Sequence, residues 1–268
     1  MPCPLSYFCQ AKKDLEMKVI CFGAPHAGND SLPTALNKIY KNPIYGIHNA
    51  LTGCQMCRWK KLLDKKHPSD GKVERKAITS DELKSLFKGY CAVTVSPHIF
   101  FIEEMIKSYP NAKIIVTKID VNEWLKNAGE ISLSKEVWTD QGFLMRIARY
   151  LSGFTKRMYF VRELMQRVYG IDVTKDEELI KFYNDHYATL DKLIPKDKRL
   201  DFNEKDGWNP LCKFLDVPVP QEAYPDPDSC KCPMRRKDKC FGLIVKVGIP
   251  LAIVAVAVTA GVIISKKP

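Results

Sequence analysis

The stretch Lys18–Leu36, KVICFGAPHAGNDSLPTAL, restricts the backbone more tightly than any other part of the chain. Val19, Ile20, Cys21 and Phe22 form a short apolar run ended by Gly23, the pattern of a strand buried on both faces in a parallel sheet. Gly23 and Gly28 lie on either side of Pro25, and Ser31 then opens a segment with apolar residues at Leu32, Ala35, Leu36 and Ile39, a helical spacing. Pro33 is accommodated only in a first helical turn, so it fixes where that helix begins. Strand, glycine loop and helix start together place backbone N–H groups around an anion. The spacing is not that of a Walker A loop, because no Gly-Lys-Ser/Thr follows. On this local pattern an ordinary tight βα turn is an equal alternative.

The rest of the chain alternates in the same way. Tyr90–Val95 and Lys113–Ile119 read as further strands and Arg199–Phe202 as a last one. Helical patterns cover Ile99–Tyr109, a segment starting at Val121–Ala128, a long stretch from Trp138 to Tyr169 interrupted near Ser152-Gly153, then Asp176–Leu193 and Asp206–Leu215. Strands alternating with helices predict an α/β fold, a central parallel sheet with helices on both faces in three layers. Ligands of such sheets sit at the carboxyl ends of the strands, which is where the Gly23–Ser31 loop falls. The expected division is an N-terminal extension over 1–16, the α/β domain over 17–217, a proline-rich and basic linker over 218–240, an apolar span over 241–264 and a short tail over 265–268.

That apolar span sets the cellular expectation. Val247–Ile264 is 18 residues without a charge, and extension back to Phe241 adds only Lys246. As a helix it would be about 27–36 Å long, enough to cross a hydrocarbon core. Arg235, Arg236, Lys237 and Lys239 precede it, against Lys266 and Lys267 after it, which leaves the main domain on the cytosolic side of a single-pass C-terminal anchor. Met1–Gln10 lacks the charged and apolar regions of a secretory signal. Ten cysteines in a reducing compartment are expected to be thiols, with Cys230, Cys232 and Cys240 as candidate acylation sites beside the span. Cys54-x-x-Cys57 with His48 and His67 is the one pattern that could hold zinc; without a second such pair no metal is expected. The net charge of +11 is spread over runs at Lys60–Lys66, Lys72–Lys76, Lys196–Arg199 and Arg235–Lys239 without interleaved aromatics, so these read as solvated faces and nucleic acid is not an expected partner.

Three segments carry a resemblance to a known family. IPKDKRLDFNEKDGWNPLCKFLDVPVP resembles the family pattern VPxxRLLxFxxxDGWEPLCKFLxVPVP. GYCAVTVSPHIFFIEEMIKSYPNAKIIVT and the tract Ser31-Leu32…Ala35-Leu36 also match. The family is that of the P-loop sulfotransferases, in the branch common in fungi and invertebrates, and the resemblance runs from about Lys18 to Pro220. It implies a P-loop-NTPase-like fold and transfer of a sulfonate from 3′-phosphoadenosine 5′-phosphosulfate (PAPS) to an acceptor. Several members of that branch also end in one membrane span.

The positions that carry the chemistry in the family are altered here. Its phosphosulfate loop, approximately G-x-P-R-T-G-T-x-S-L, keeps Gly23, Pro25, Gly28, Ser31 and Leu32, but His26 replaces Arg, Ala27 and Asn29 replace Thr, and Asp30 adds a carboxylate. A hydrogen bond to a charged group contributes about 1.5–3 kcal/mol, so the losses amount to several. The 3′-phosphate Arg of T-x-R-D-P aligns with Ile119, and a nearby phosphate-binding serine with Asn127. The catalytic Asp of T-T-D-x-P aligns with Val95, leaving His98 as the nearby substitute. Loss of a general base costs about 10²–10⁴ in rate. The His of P-C-Y-H-M has no clean counterpart: Gly46 aligns and His48 falls two residues late. The resemblance therefore implies a cofactor site of Gly23, His26, Gly28, Asn29, Ser31 and Asn127, with His98 as the candidate base. Two readings follow: a membrane-anchored binding or scaffold module with impaired catalysis and no cofactor, or an active PAPS-dependent enzyme acting on an unknown hydroxyl acceptor. A third is that the loop takes another nucleotide or anion.

Overall fold

A computed structural model describes residues 14–50, 53–68, 75–94, 97–131 and 162–226. Five parallel strands form one sheet in the order β2-β3-β1-β4-β5. They are β1 Val19–Cys21, β2 Ile44–Tyr45, β3 Ala92–Val93, β4 Lys113–Thr117 and β5 Arg199–Phe202. Val19 lies opposite Ala92 on one side and Lys113 on the other, which makes β1 the central strand. The helices are α1 Leu32–Tyr40, α2 Ile47–Ala50, α3 Gly53–Lys66, α4 Ser80–Phe87, α5 Ile102–Ser108, α6 Val121–Ile131, α7 at residues 162–169, α8 Asp176–Leu193 and α9 Trp208–Leu215.

The alternation of a strand's side chains divides the core in two. Val19 and Cys21 face α1 and α9, packing with Leu32, Leu36, Trp208 and Leu211. Ile20 and Phe22 face the opposite layer, built on Trp59, Phe87, Phe101, Trp124 and Phe182. All four residues of the run are fully buried, as a strand covered on both faces requires. Trp59 donates its ring N–H to the Tyr45 hydroxyl at 2.9 Å, satisfying the one polar atom its burial would otherwise orphan.

The predicted strands all occur in the parallel sheet, each shorter than expected except β5. β2, only two residues long, carries no periodic signal and exists because Thr94 and Cys91 donate their amides to Tyr45 and Pro43. Asp176–Leu193 is helical over the span the sequence predicts. The helix expected over Asp206–Leu215 begins at Trp208: Gly207, at φ +70°, separates it from a 3₁₀ turn at Glu204–Asp206. A similar 3₁₀ turn, Pro97–Phe100, precedes α5. The Cys54-x-x-Cys57 pair lies on α3, not in a loop, and among the described residues no three His, Cys, Asp or Glu side chains gather in a way that could hold a metal. Within the described basic runs Lys60 pairs with Glu163, Lys65 with Glu82, Lys66 with Glu104, and the buried Arg199 with Asp191 and Asp201. No described helix is long and apolar enough to cross a membrane; the expected anchor at Val247–Ile264, its flanking cysteines, Val95, Ser96 and most of the stretch from Trp138 lie outside the described residues.

Candidate functional site at the carboxyl end of β1

β1 ends at the loop 23–31, and the loop's shape is set by three close approaches. A Cβ on Gly23 would stand 1.8 Å from Thr117 Oγ1, so glycine is required for β1 and β4 to close at this point. Gly28 has φ +68°, and a Cβ there would meet the Ile119 side chain at 3.0 Å and Glu204 Oε1 at 3.8 Å. His26, at φ +63°, holds a left-handed conformation that glycine adopts without strain. Asn29 is buried and its amide donates to the Ala24 carbonyl at 2.9 Å and to Thr117 Oγ1 at 3.2 Å. Asn29 therefore staples the loop to the end of β4.

Groups from the helical layer brace this loop from below. Trp124 on α6 donates its ring N–H to the Pro25 carbonyl at 2.7 Å. The Tyr187 hydroxyl on α8 donates to the Thr117 carbonyl at 2.6 Å and accepts the Ala24 amide at 3.3 Å. One turn earlier, the Tyr183 hydroxyl does the same at Ile119, donating to its carbonyl at 2.6 Å and accepting its amide at 3.2 Å. Two buried imidazoles fix the last turns of β1: His98 Nε2 lies 2.7 Å from the Cys21 carbonyl and His186 Nε2 lies 2.7 Å from the Phe22 carbonyl. A carbonyl oxygen only accepts, so in both rings Nε2 carries the proton. Burial pushes the His186 imidazolium down to about 4. Burial also pushes the Cys21 thiol up to about 11, which leaves it an inert core group.

The loop opens on a cleft of about 320 Å³ whose lining includes His26, Gly28, Asp30, Ile119, Asn127 and Glu204, together with Glu123, Lys205 and Tyr224. Of the residues expected in the site, His26, Gly28 and Asn127 thus share one cavity. Gly23, Asn29 and Ser31 lie buried in the loop and helix start behind it. His98 is fully buried against Cys21 and Phe22, and is not among the cleft residues. Lys118, next to Ile119, lies 4.8 Å over the Tyr187 ring and is likewise not in the cleft lining.

Glu204 is the residue that sequence reasoning missed. It sits in the 3₁₀ turn after β5, and its carboxylate accepts the amide of Ser31 at 2.9 Å and that of Asp30 at 3.3 Å. These are N–H groups at the start of α1, where an anion is favoured by the helix dipole and by unpaired donors. Ser31 is the N-cap of α1 yet makes no side-chain capping bond. Its hydroxyl, fully buried, has no hydrogen-bond partner among the described residues.

A parallel sheet whose central strand feeds a glycine loop and a helix N-terminus defines an α/β protein of the kind whose ligands sit at the carboxyl ends of the strands. The family model described as "Sulfotransferase domain" matches residues 18–230, and the chain belongs to that family. A relative from Aspergillus versicolor, "Ava biosynthesis cluster protein M", is 27% identical over 212 residues, covering 78% of this chain and 80% of its own.

The residues present do not fit a bisphosphorylated, sulfonated nucleotide as they stand. Three carboxylates line the cleft against one lysine, Lys205, and His26; one of the carboxylates is already bonded to the loop amides, and Ile119 offers no charge at the end of β4. A like charge at a phosphate position opposes binding by the same Coulomb term that a cation would supply in its favour.

Proposed function

We propose that this chain is a sulfotransferase-fold binding or scaffold module whose catalysis is impaired, held at a membrane by its C-terminal apolar run with the α/β domain on the cytosolic side. The observation that carries the reading is the Glu204 carboxylate seated on the Asp30 and Ser31 amides. An enzyme that binds PAPS needs those donors for its cofactor; here they hold an internal anion. The full burial of His98, its Nε2 proton committed to the Cys21 carbonyl, adds support, since a base must reach its substrate's proton.

The test is a calorimetric titration of the full chain with 3′,5′-adenosine bisphosphate, together with an assay for sulfonate transfer from PAPS. Absence of binding at micromolar nucleotide is expected. Micromolar binding with transfer that depends on His98 would instead establish the active enzyme. The anchor is tested separately: chain truncated after Pro227 should leave membranes, and its retention after a carbonate wash would refute the tether.

A further inference from the structure

We infer that Glu204 is a displaceable gate, an internal carboxylate covering a four-donor oxyanion site formed by the Asp30 and Ser31 amides and the hydroxyls of Ser31 and Tyr224. The inference rests on the proposed function and deepens it by stating what blocks the site and what it would hold.

Two donors of the four are already visible at work, since both amides bond the carboxylate. The other two are buried and idle. Ser31 Oγ and the Tyr224 hydroxyl have no hydrogen-bond partner among the described residues. The Tyr224 hydroxyl lies beside that of Ser31, outside good hydrogen-bond geometry. Leaving two adjacent hydroxyls buried and unpaired costs free energy that a shared acceptor would recover. The Glu204 carboxylate bonds the two amides, and neither hydroxyl has a hydrogen-bond partner among the described residues; a tetrahedral oxyanion, with oxygens in four directions, would engage amides and hydroxyls together.

Tyr224 is delivered by the segment that follows α9. The Trp208 ring N–H donates to the Glu222 carbonyl at 2.8 Å, Lys38 pairs with the Glu222 carboxylate at 2.5 Å, and the Tyr224 ring packs edge-on against Trp208 at 5.0 Å. The segment is thereby fixed across α1 and α9 with its tyrosine at the cleft. On the other side, Glu204 stands on a three-residue 3₁₀ turn between Asn203 and Gly207, so only a short turn carries the carboxylate. The ligand class is a phosphate or sulfate group. Asp30 and Glu123 in the same cleft outnumber its one lysine, Lys205, which favours a small oxyanion over a highly charged nucleotide.

The experiment uses the full chain in detergent, as wild type and as Glu204→Gln and Glu204→Ala, with folding checked by circular dichroism. Inorganic phosphate is titrated by calorimetry and by thermal shift. Both variants are expected to bind phosphate about 10–100-fold more tightly than wild type, and phosphate should raise their melting temperature but not that of the wild type. Adding Ser31→Ala or Tyr224→Phe to E204Q should each remove most of the gain. Folded E204Q and E204A that bind phosphate no better than wild type overturn the gate, as does a full gain retained by E204Q/Y224F. If one variant does not fold, the other decides. A parallel titration with 3′,5′-adenosine bisphosphate keeps the two readings apart. Wild type that binds the nucleotide, with E204Q tighter still, refutes the impaired-site function and supports the gate; neither protein gaining any anion does the reverse.

Discussion

Replacing His186 should remove a specific part of the chain's acid sensitivity. Burial holds the His186 ring neutral down to about 4, against 6.5 for the free side chain, because no group around it compensates a charge: Nε2 is spent on the Phe22 carbonyl and Nδ1 has no hydrogen-bond partner among the described residues. The pKa is depressed in the folded state, so the unfolded chain binds the extra proton as pH falls through 6.5. Stability is unaffected above that value and is lost progressively down to about 4. With those two pKa values the loss is about 2 kcal/mol at pH 5 and about 3 kcal/mol at pH 4. The carboxylates held low by hydrogen bonds, such as Asp120 and Asp172, titrate mostly below that window. His67 is also lowered, by burial first, but it is partly exposed and its share is smaller. Urea denaturation followed by tryptophan fluorescence at pH 7 and pH 5 measures the loss, and His186→Gln, which keeps a donor for Phe22, should be less stable at pH 7 yet lose about 2 kcal/mol less on acidification. An unchanged pH 7 to pH 5 difference in the variant would refute the reasoning.

Three further outcomes follow from the loop. Gly23→Ala forces a methyl to within 1.8 Å of Thr117 Oγ1, and should cost about 3 kcal/mol or prevent folding, read as a lowered urea midpoint or loss of soluble protein. Tyr187→Phe leaves the Ala24 amide and the Thr117 carbonyl without their shared hydroxyl, and a loss of about 1–3 kcal/mol is expected; no change would mean that water replaces it. The combination His26→Arg, Asp30→Thr and Ile119→Arg places cations in the cleft and should tighten 3′,5′-adenosine bisphosphate by about 10–100-fold, with turnover still awaiting Val95→Asp; catalysis without that last change would discount the base assignment.

Local signals carried the parts of this protein that are local in origin. The Val19–Phe22 run and Pro33 fix strand and helix start, because each acts through the backbone of its own neighbourhood: an apolar run needs burial and proline fits only a first turn. The same holds for Asp176–Leu193, whose periodicity spans the observed helix. Helix α4 also carries a local start signal, the capping box of Thr79 and Glu82. What the sequence could not assign is pairing at a distance. Glu204 lies 173 residues from Ser31, and they meet only because the sheet order brings β5 beside β4 and β4 beside β1. Nothing in the sequence around Glu204 says that its carboxylate will face a helix N-terminus, just as nothing around His98 says that its ring will donate to Cys21 and lie buried. Propensity and patterning follow from each residue's own neighbours along the chain, whereas a hydrogen bond across a site depends on the register of strands laid down by the whole core. The loop was therefore written in the sequence, and its occupant was decided by the fold.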